Sequence, residues 1–252
     1  MATVEYAFAD DVARLLINRV ERRNAINHDA LEEIATAVDA ATRDGARALV
    51  ISGAGGHFCA GADLSELEDQ SFAARLRGVL DELAGLPIPT IAAISGSCMG
   101  LGMQLAMACD LRLADPSGRF AVPISKLGLM VDFWTVRKLA LLAGHSTARQ
   151  LLVTAAPIDA TRAYQVGFVQ ILVDAAADPL SEALELAAAV SKLAPLSIAG
   201  SKIGLDLVER HPGSPESEQR YGVAFDAAWS SADLVEGRTA FVERRSPNFE
   251  GN

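Results

Sequence analysis

Residues Ile94 to Asp115 read ISGSCMGLGMQLAMACDLRLAD. A strand-like apolar run enters a turn studded with Gly96, Gly100 and Gly102, and the turn opens what reads as a buried helix. Small residues in a tight bend leave main-chain N–H groups uncovered, so a ligand atom can come within hydrogen-bonding distance. Here those groups also lie at a helix N-terminus, where the dipole favours negative charge. A stretch of similar character, GAGGHFCAGADLSEL, spans Gly53 to Leu67. One N–H donor from each turn would make an oxyanion hole, which stabilises charge developing on a carbonyl oxygen. Taken alone, each glycine cluster reads more simply as a tight turn without a ligand. Neither is a nucleotide fingerprint: GAGGHF lacks the third glycine of G-x-G-x-x-G, and no G-K-[ST] follows to make a P-loop.

Outward from these turns the chain alternates strand and helix. Residues 3–9 and 12–18 alternate apolar and polar around a DD pair, which predicts an opening hairpin. A helix over about 29–43, capped by Asn27 or Asp29, carries Leu31, Ile34, Ala35 and Val38 at helical spacing. Strands are predicted at 47–53, 90–95, 111–114, 119–123 and 168–173, with helices near 71–84, 133–142 and 146–154. From about 177 onwards only helices are read: 177–192, 196–209, 216–229 and 232–244, with a mobile loop at 209–218. The pattern is that of an α/β core, residues 1–192, followed by a helical region, 193–252, that serves oligomerisation or merely covers the core.

Composition narrows the function classes. Half of the 252 residues are hydrophobic and 21% are charged, as in ordinary globular proteins. No apolar run approaches the roughly 20 residues of a transmembrane helix. The start, MATVEYAFADDV, lacks the basic-then-apolar layout of a signal peptide, so a cytoplasmic location is expected. The net charge of −10 argues against a nucleic-acid partner, which needs a basic face. The three cysteines, Cys59, Cys98 and Cys109, show neither C-x-x-C pairing nor histidines at metal-ligand spacing. Buried thiols are expected, with no disulfide framework and no metal site. His28, His57, His145 and His211 assemble into no Ser–His–Asp constellation.

Read together, NRVERRNAIN, FCAGADL, GSCMGLGMQLAMACDLRLAD and FVERRSPNF resemble the crotonase superfamily, the enoyl-CoA hydratases and isomerases. Order and spacing fit from about residue 10 to the C-terminus. The resemblance implies a spiral of ββα units with a C-terminal helical trimerisation region, assembling as a homotrimer or a dimer of trimers. It implies an acyl-CoA thioester as ligand or substrate and no separate cofactor. Its thioester oxygen would be held by the backbone N–H groups of Ala62 and Leu101. Leucine stands where the family usually has glycine, and its side chain would narrow the pocket. Arg22, Ala60, Asp63 and Leu64 would line the CoA and adenine pocket. Phe241 and Arg244, from the same or a neighbouring subunit, would contact the CoA end, with Arg244 at the 3′-phosphate. The plainer reading of these arginines is surface pairing with the glutamates of the two ERR triplets.

The resemblance also shows what is missing. The family's hydratases use two glutamates, and the matching positions hold Gln104 and Ile124. An amide can orient a water but has no accessible protonation equilibrium near neutral pH. A general acid or base typically contributes about 10²–10⁴-fold, so loss of both should leave hydration very slow. One carboxylate remains, Asp132, beside Phe133 and Trp134. In some isomerases and a dehalogenase branch of that family an aspartate at the matching place acts on the acyl chain. Among apolar neighbours its pKa would rise and it would shuttle protons. Equally, Asp132 would cap the helix that starts at Phe133. The Leu, Met and Ala residues of MQLAMA read first as core, with Met99, Met103 and Met130 as the alternative lining of an adaptable acyl pocket.

Overall fold

The turn at Asp10 and Asp11, both with positive φ (49° and 64°), is one that aspartate tolerates and that matches strand twist. It joins strands β1 (Val4–Ala9) and β2 (Val12–Ile17) into an antiparallel hairpin. The structure, a computed structural model, describes residues 3–63, 70–210 and 214–252. Helix α1 (His28–Arg43) follows, with the Asn27 side chain accepting from the Ala30 N–H at 3.0 Å, so Asn27 is the cap. Its buried face carries Leu31, Ile34, Ala35 and Val38, as the spacing predicts.

Strand β3 (Ala48–Gly53), helix α2 (Gln70–Ala84) and strand β4 (Thr90–Ile94) come next. The chain then runs through a short β5 (Ser97–Met99), α3 (Leu101–Ala108), β6 (Leu111–Ala114), β7 (Arg119–Ala121) and a 3-10 turn at Pro123–Leu127. Helix α4 (Phe133–Thr154), β8 (Ile158–Asp159), α5 (Ala160–Gln165) and β9 (Ile171–Leu172) complete the strand-bearing part. The main sheet has six strands in the order β1-β2-β3-β4-β6-β9, parallel from β2 onwards. Strands β5, β7 and β8 form a second, three-stranded sheet. Two passes, β4-β5-α3 and β6-β7-α4, lay one strand in the main sheet, one in the smaller sheet, and then a helix.

β3 and β4 read as unbroken apolar runs because both faces of the sheet are covered. Leu49, Ile51, Ala92 and Ile94 join the large core with α1, α2 and α3. The alternate residues Ala48, Val50, Ile91 and Ala93 pack with Ala183 and Ala187 of α6 (Pro179–Val190). After α6 come α7 (Pro195–Arg210), α8 (Pro215–Trp229) and α9 (Ala232–Glu243). Proline begins α6, α7 and α8, where its missing N–H costs nothing. Among the described residues no single helix is long and apolar enough to cross a membrane.

Two expectations need correction. The run 168–173 pairs as a strand only at Ile171–Leu172; the Phe168 carbonyl accepts instead from buried Arg112, and the Val169 N–H turns back to Ala163. The helices at 133–142 and 146–154 stand as read: within Phe133–Thr154 the chain breaks at Gly144, whose φ of 76° and ψ of 152° are not helical. β8 and α5 carry too few residues to leave a periodic signal. In the 209–218 loop, helix extends on both sides, and residues 211–213 lie outside the described residues.

Candidate functional site

The two glycine turns are zipped together. The Cys59 N–H donates to the Ser97 carbonyl (2.9 Å), and the Met99 N–H donates to the Cys59 carbonyl (3.0 Å). The Ser97 N–H donates to His57 Nδ1 at 3.1 Å, which makes that ring a strut between the turns. A β-carbon on Gly102 would fall 2.3 Å from the Cys59 carbonyl oxygen, so α3 can lie on the first turn only with glycine there. Gly61 and Gly100 both have positive φ (123° and 53°), and a β-carbon on Gly100 would be 3.8 Å from the Gly61 Cα. Ala62 and Leu101, the next residue in each case, thus leave from two touching turns.

Among the described residues the N–H groups of Ala62 and Leu101 make none of the backbone bonds that hold these turns. Helix α3 has no side-chain cap, so its first N–H groups are left for a ligand, on the positive end of the helix dipole. The Leu101 side chain is 4% exposed and belongs to the large core. The leucine is therefore accommodated by packing, and only its N–H is offered at the turn.

The NRVERRNAIN segment is the scaffold of the first turn. Asn24 is fully buried with φ 60°, donates to the carbonyls of Ala54 (2.8 Å) and His57 (2.6 Å), and accepts from the Arg19 N–H (2.9 Å). The Arg23 carbonyl accepts from the Ala60 N–H at 3.0 Å. Asp63 is tied to Arg19 at 3.1 Å, both side chains nearly buried, so its carboxylate braces the loop. Asn24 and Arg19 were not singled out from sequence. The available signal was an asparagine, tolerant of the left-handed region, at a bend between arginines and an apolar run. Ala60 is half-buried, Arg22 is exposed, and Leu64 lies outside the described residues.

At the side-chain end, helices α3 and α4 are joined by a chain of hydrogen bonds. Gln104 Nε2 donates to Thr135 Oγ1 at 2.7 Å, and the Thr135 hydroxyl donates to Asp132 Oδ1. The same Asp132 oxygen accepts from the Thr135 N–H (3.0 Å), which makes Asp132 the N-cap of α4. Its other oxygen lies 3.7 Å from the Arg77 guanidinium of α2, and that guanidinium sits over the Trp134 ring at 4.1 Å. Asp132 is therefore not set among apolar neighbours, as its sequence context suggests: its side chain is 42% exposed and faces a cation. Thr135 and Arg77 are the partners that sequence reading missed; nothing in the spacing of α2 points at α4. Ile124, in the 3-10 turn, packs against the large core and brings no polar atom. Met103 is fully buried and Met130 is almost fully exposed, so these two do not line a common pocket.

Phe241 is exposed on α9, and Arg244 ends that helix in the left-handed region. Glu236 and Glu243 pair with Arg245, leaving Arg244 and Arg22 without ion pairs among the described residues. A cavity of about 680 Å³ is lined by Leu196, Leu234, Arg238, Phe241 and Phe249 among others, and by none of Ala62, Leu101, Gln104 or Asp132. One chain thus brings together the turns and the Gln104–Asp132 chain, but does not bring Phe241 into a cavity with them. The three cysteines are free and buried, and burial pushes the Cys59 and Cys109 thiols up to about 12, so they stay protonated. Among the described residues no cluster could hold a metal ion.

Known proteins resemble this chain along nearly its whole length. The family model described as enoyl-CoA hydratase/isomerase matches residues 7–252. A probable enoyl-CoA hydratase, echA6, of Mycobacterium tuberculosis is 38% identical, over 96% of this chain and 97% of its own. The crotonyl-CoA hydratase of Syntrophomonas wolfei is 34% identical, covering 95% of each chain. Among solved structures, a putative enoyl-CoA hydratase from Streptomyces coelicolor superposes with a TM-score of 0.92 at 27% identity, covering 99% of this chain and 94% of the other. The fold is thus the crotonase fold, an α/β spiral followed by helices, and the chain belongs to the enoyl-CoA hydratase/isomerase family.

Proposed function

We propose that this protein binds fatty acyl-CoA or enoyl-CoA thioesters in fatty acid metabolism, with little or no hydratase activity. The thioester oxygen sits between the N–H groups of Ala62 and Leu101, whose loss individually would cost about 3–4 kcal/mol of oxyanion stabilisation. One observation carries the reading: the Gln104 amide, at the hydratase carboxylate position, is already bonded to Thr135, and Ile124 offers no polar atom. Ala62 and Leu101 are backbone donors, so the binding half survives while the water-activating half is absent. Arg22, Ala60, Asp63 and Leu64 line the CoA and adenine pocket. Phe241 and Arg244, of the same or a neighbouring subunit, meet the CoA end; that Arg244 has no ion pair among the described residues supports its role at the 3′-phosphate.

The helical region from 193 onwards serves assembly into a trimer or a dimer of trimers. Its exposed apolar residues, including Leu205, Val208, Val223 and Trp229, support that role. The assembly works in the cytoplasm. A second reading, double-bond isomerisation or another one-base enolate reaction with Asp132 as shuttle, is favoured by the single hydroxyl that separates Asp132 from Gln104.

Purified protein assayed with 2-enoyl-CoA and 3-enoyl-CoA, beside calorimetric binding of a saturated acyl-CoA, separates these readings. Tight binding with neither substrate consumed is expected. Turnover of the 3-enoyl substrate that vanishes in Asp132→Asn supports the isomerase instead. Hydration at a rate ordinary for the family overturns both.

A further inference from the structure

Resting on the acyl-CoA reading, we infer that Thr135 and Asp132 are positioning residues that turn Gln104 into a reader of a hydroxyl group on the acyl chain. The direction of the hydrogen-bond chain follows from chemistry. A carboxylate can only accept, and Asp132 Oδ1 takes the hydroxyl of Thr135, which has a single hydrogen to give. Thr135 Oγ1 therefore turns a lone pair to Gln104, and only the NH₂ side of the amide can meet it, as the 2.7 Å contact from Nε2 shows. Thr135 is fully buried, so no solvent competes for this arrangement. The amide cannot flip without setting its oxygen against an oxygen.

The consequence is a fixed pattern at the acyl end. Among the described residues Gln104 Oε1 accepts no hydrogen bond, and Nε2 has one hydrogen to spare beyond the one given to Thr135. Gln104 lies three residues beyond Leu101 on α3, hence on the same helix face and one turn on. A thioester held at the Leu101 N–H then passes its first few carbons beside this amide. A hydroxyl there, donor and acceptor at once, matches both free functions. A ketone matches only the N–H, and a saturated carbon matches neither. The site accordingly selects hydroxyacyl thioesters over unsubstituted ones. A glutamate at 104 would lose this reading, because Thr135 has no second hydrogen for another carboxylate.

Calorimetric titration with 3-hydroxyacyl-CoA, 3-oxoacyl-CoA and saturated acyl-CoA of equal chain length tests the inference. The hydroxyacyl thioester is expected to bind roughly tenfold more tightly than the saturated one, the size of one well-formed hydrogen bond, and more tightly than the oxo compound. Thr135→Val should bring the ratio close to one, and Thr135→Ser should keep it. Each variant is compared with itself over the ligands, so a loss of folded protein lowers all affinities alike and leaves the ratio readable. A wild-type ratio near one, an oxo compound that binds as tightly as the hydroxy compound, or a ratio unchanged in Thr135→Val overturns the inference. Binding of none of the three thioesters overturns the acyl-CoA reading itself, and the inference with it.

Discussion

The paired glycine turns and the segment from Pro123 to Thr135 flank one proposed ligand, yet they are built in opposite ways. The turns are backbone machinery: Cys59 and Cys98 are wholly buried, and main-chain bonds of 2.9 and 3.0 Å lock the strands that carry them. The later segment works through side chains, with Met130 92% and Phe133 79% exposed, and its order rests on a helix cap and a guanidinium. A backbone donor persists whatever side chain it carries, and the Leu101 side chain packs into the core. A side-chain acid is lost by one substitution, the reading proposed above for Gln104 and Ile124. The binding function and the catalytic function of such a site can therefore separate.

The largest expected effect breaks the rigid side of this comparison. Gly102→Ala forces a β-carbon against the Cys59 carbonyl, and denaturant unfolding should show a loss of about 3 kcal/mol together with loss of acyl-CoA binding. Unchanged stability would mean that the two turns do not pack as described. Next is Arg112→Met beneath the same helix. The Arg112 guanidinium serves the carbonyls of Ala106, Cys109 and Phe168, and its removal leaves buried acceptors unpaired. A loss of about 2–3 kcal/mol in the same measurement is expected.

On the exposed side the effects shrink. Asp132→Ala removes the cap of α4 and should cost about 1 kcal/mol in denaturant unfolding, with Asp132→Asn close to wild type because asparagine caps equally well. A loss as large as that of Gly102→Ala would erase the contrast between the two regions. The smallest expected change is Gln104→Glu, assayed for hydration of 2-enoyl-CoA. No activity is expected, since Ile124 still supplies no second group and the Thr135 proton already serves Asp132. A gain approaching family rates would show that a single carboxylate restores the site.

Much of this was legible in the residues. The DD hairpin, the α1 stripe of Leu31, Ile34 and Val38, and the strands at 48–53 and 90–94 follow from period and turn chemistry alone. The two turns announce themselves because small residues cluster only where backbone must come close. β8 and β9 were hidden or misread: two residues each cannot show a period, and their pairing depends on distant strands. Arg112 illustrates the same limit. Its sequence context is an apolar strand, and only the fold brings four backbone carbonyls and the Gln170 side-chain oxygen around its guanidinium to make burial tolerable.

The glycines of the two turns, the amide at Gln104 and the hydrocarbon at Ile124 are matters of sequence, because each depends on the chemistry of one residue. The role of Asp132 is a matter of tertiary structure. Apolar neighbours in the chain, Phe133 and Trp134, suggested a buried acid; in the fold Phe133 turns outward and Trp134 is covered by Arg77 from another helix. Whether a carboxylate sits among hydrocarbons or against a cation is decided by which helix packs beside it, and that partner, Arg77, stands 55 residues earlier in the chain.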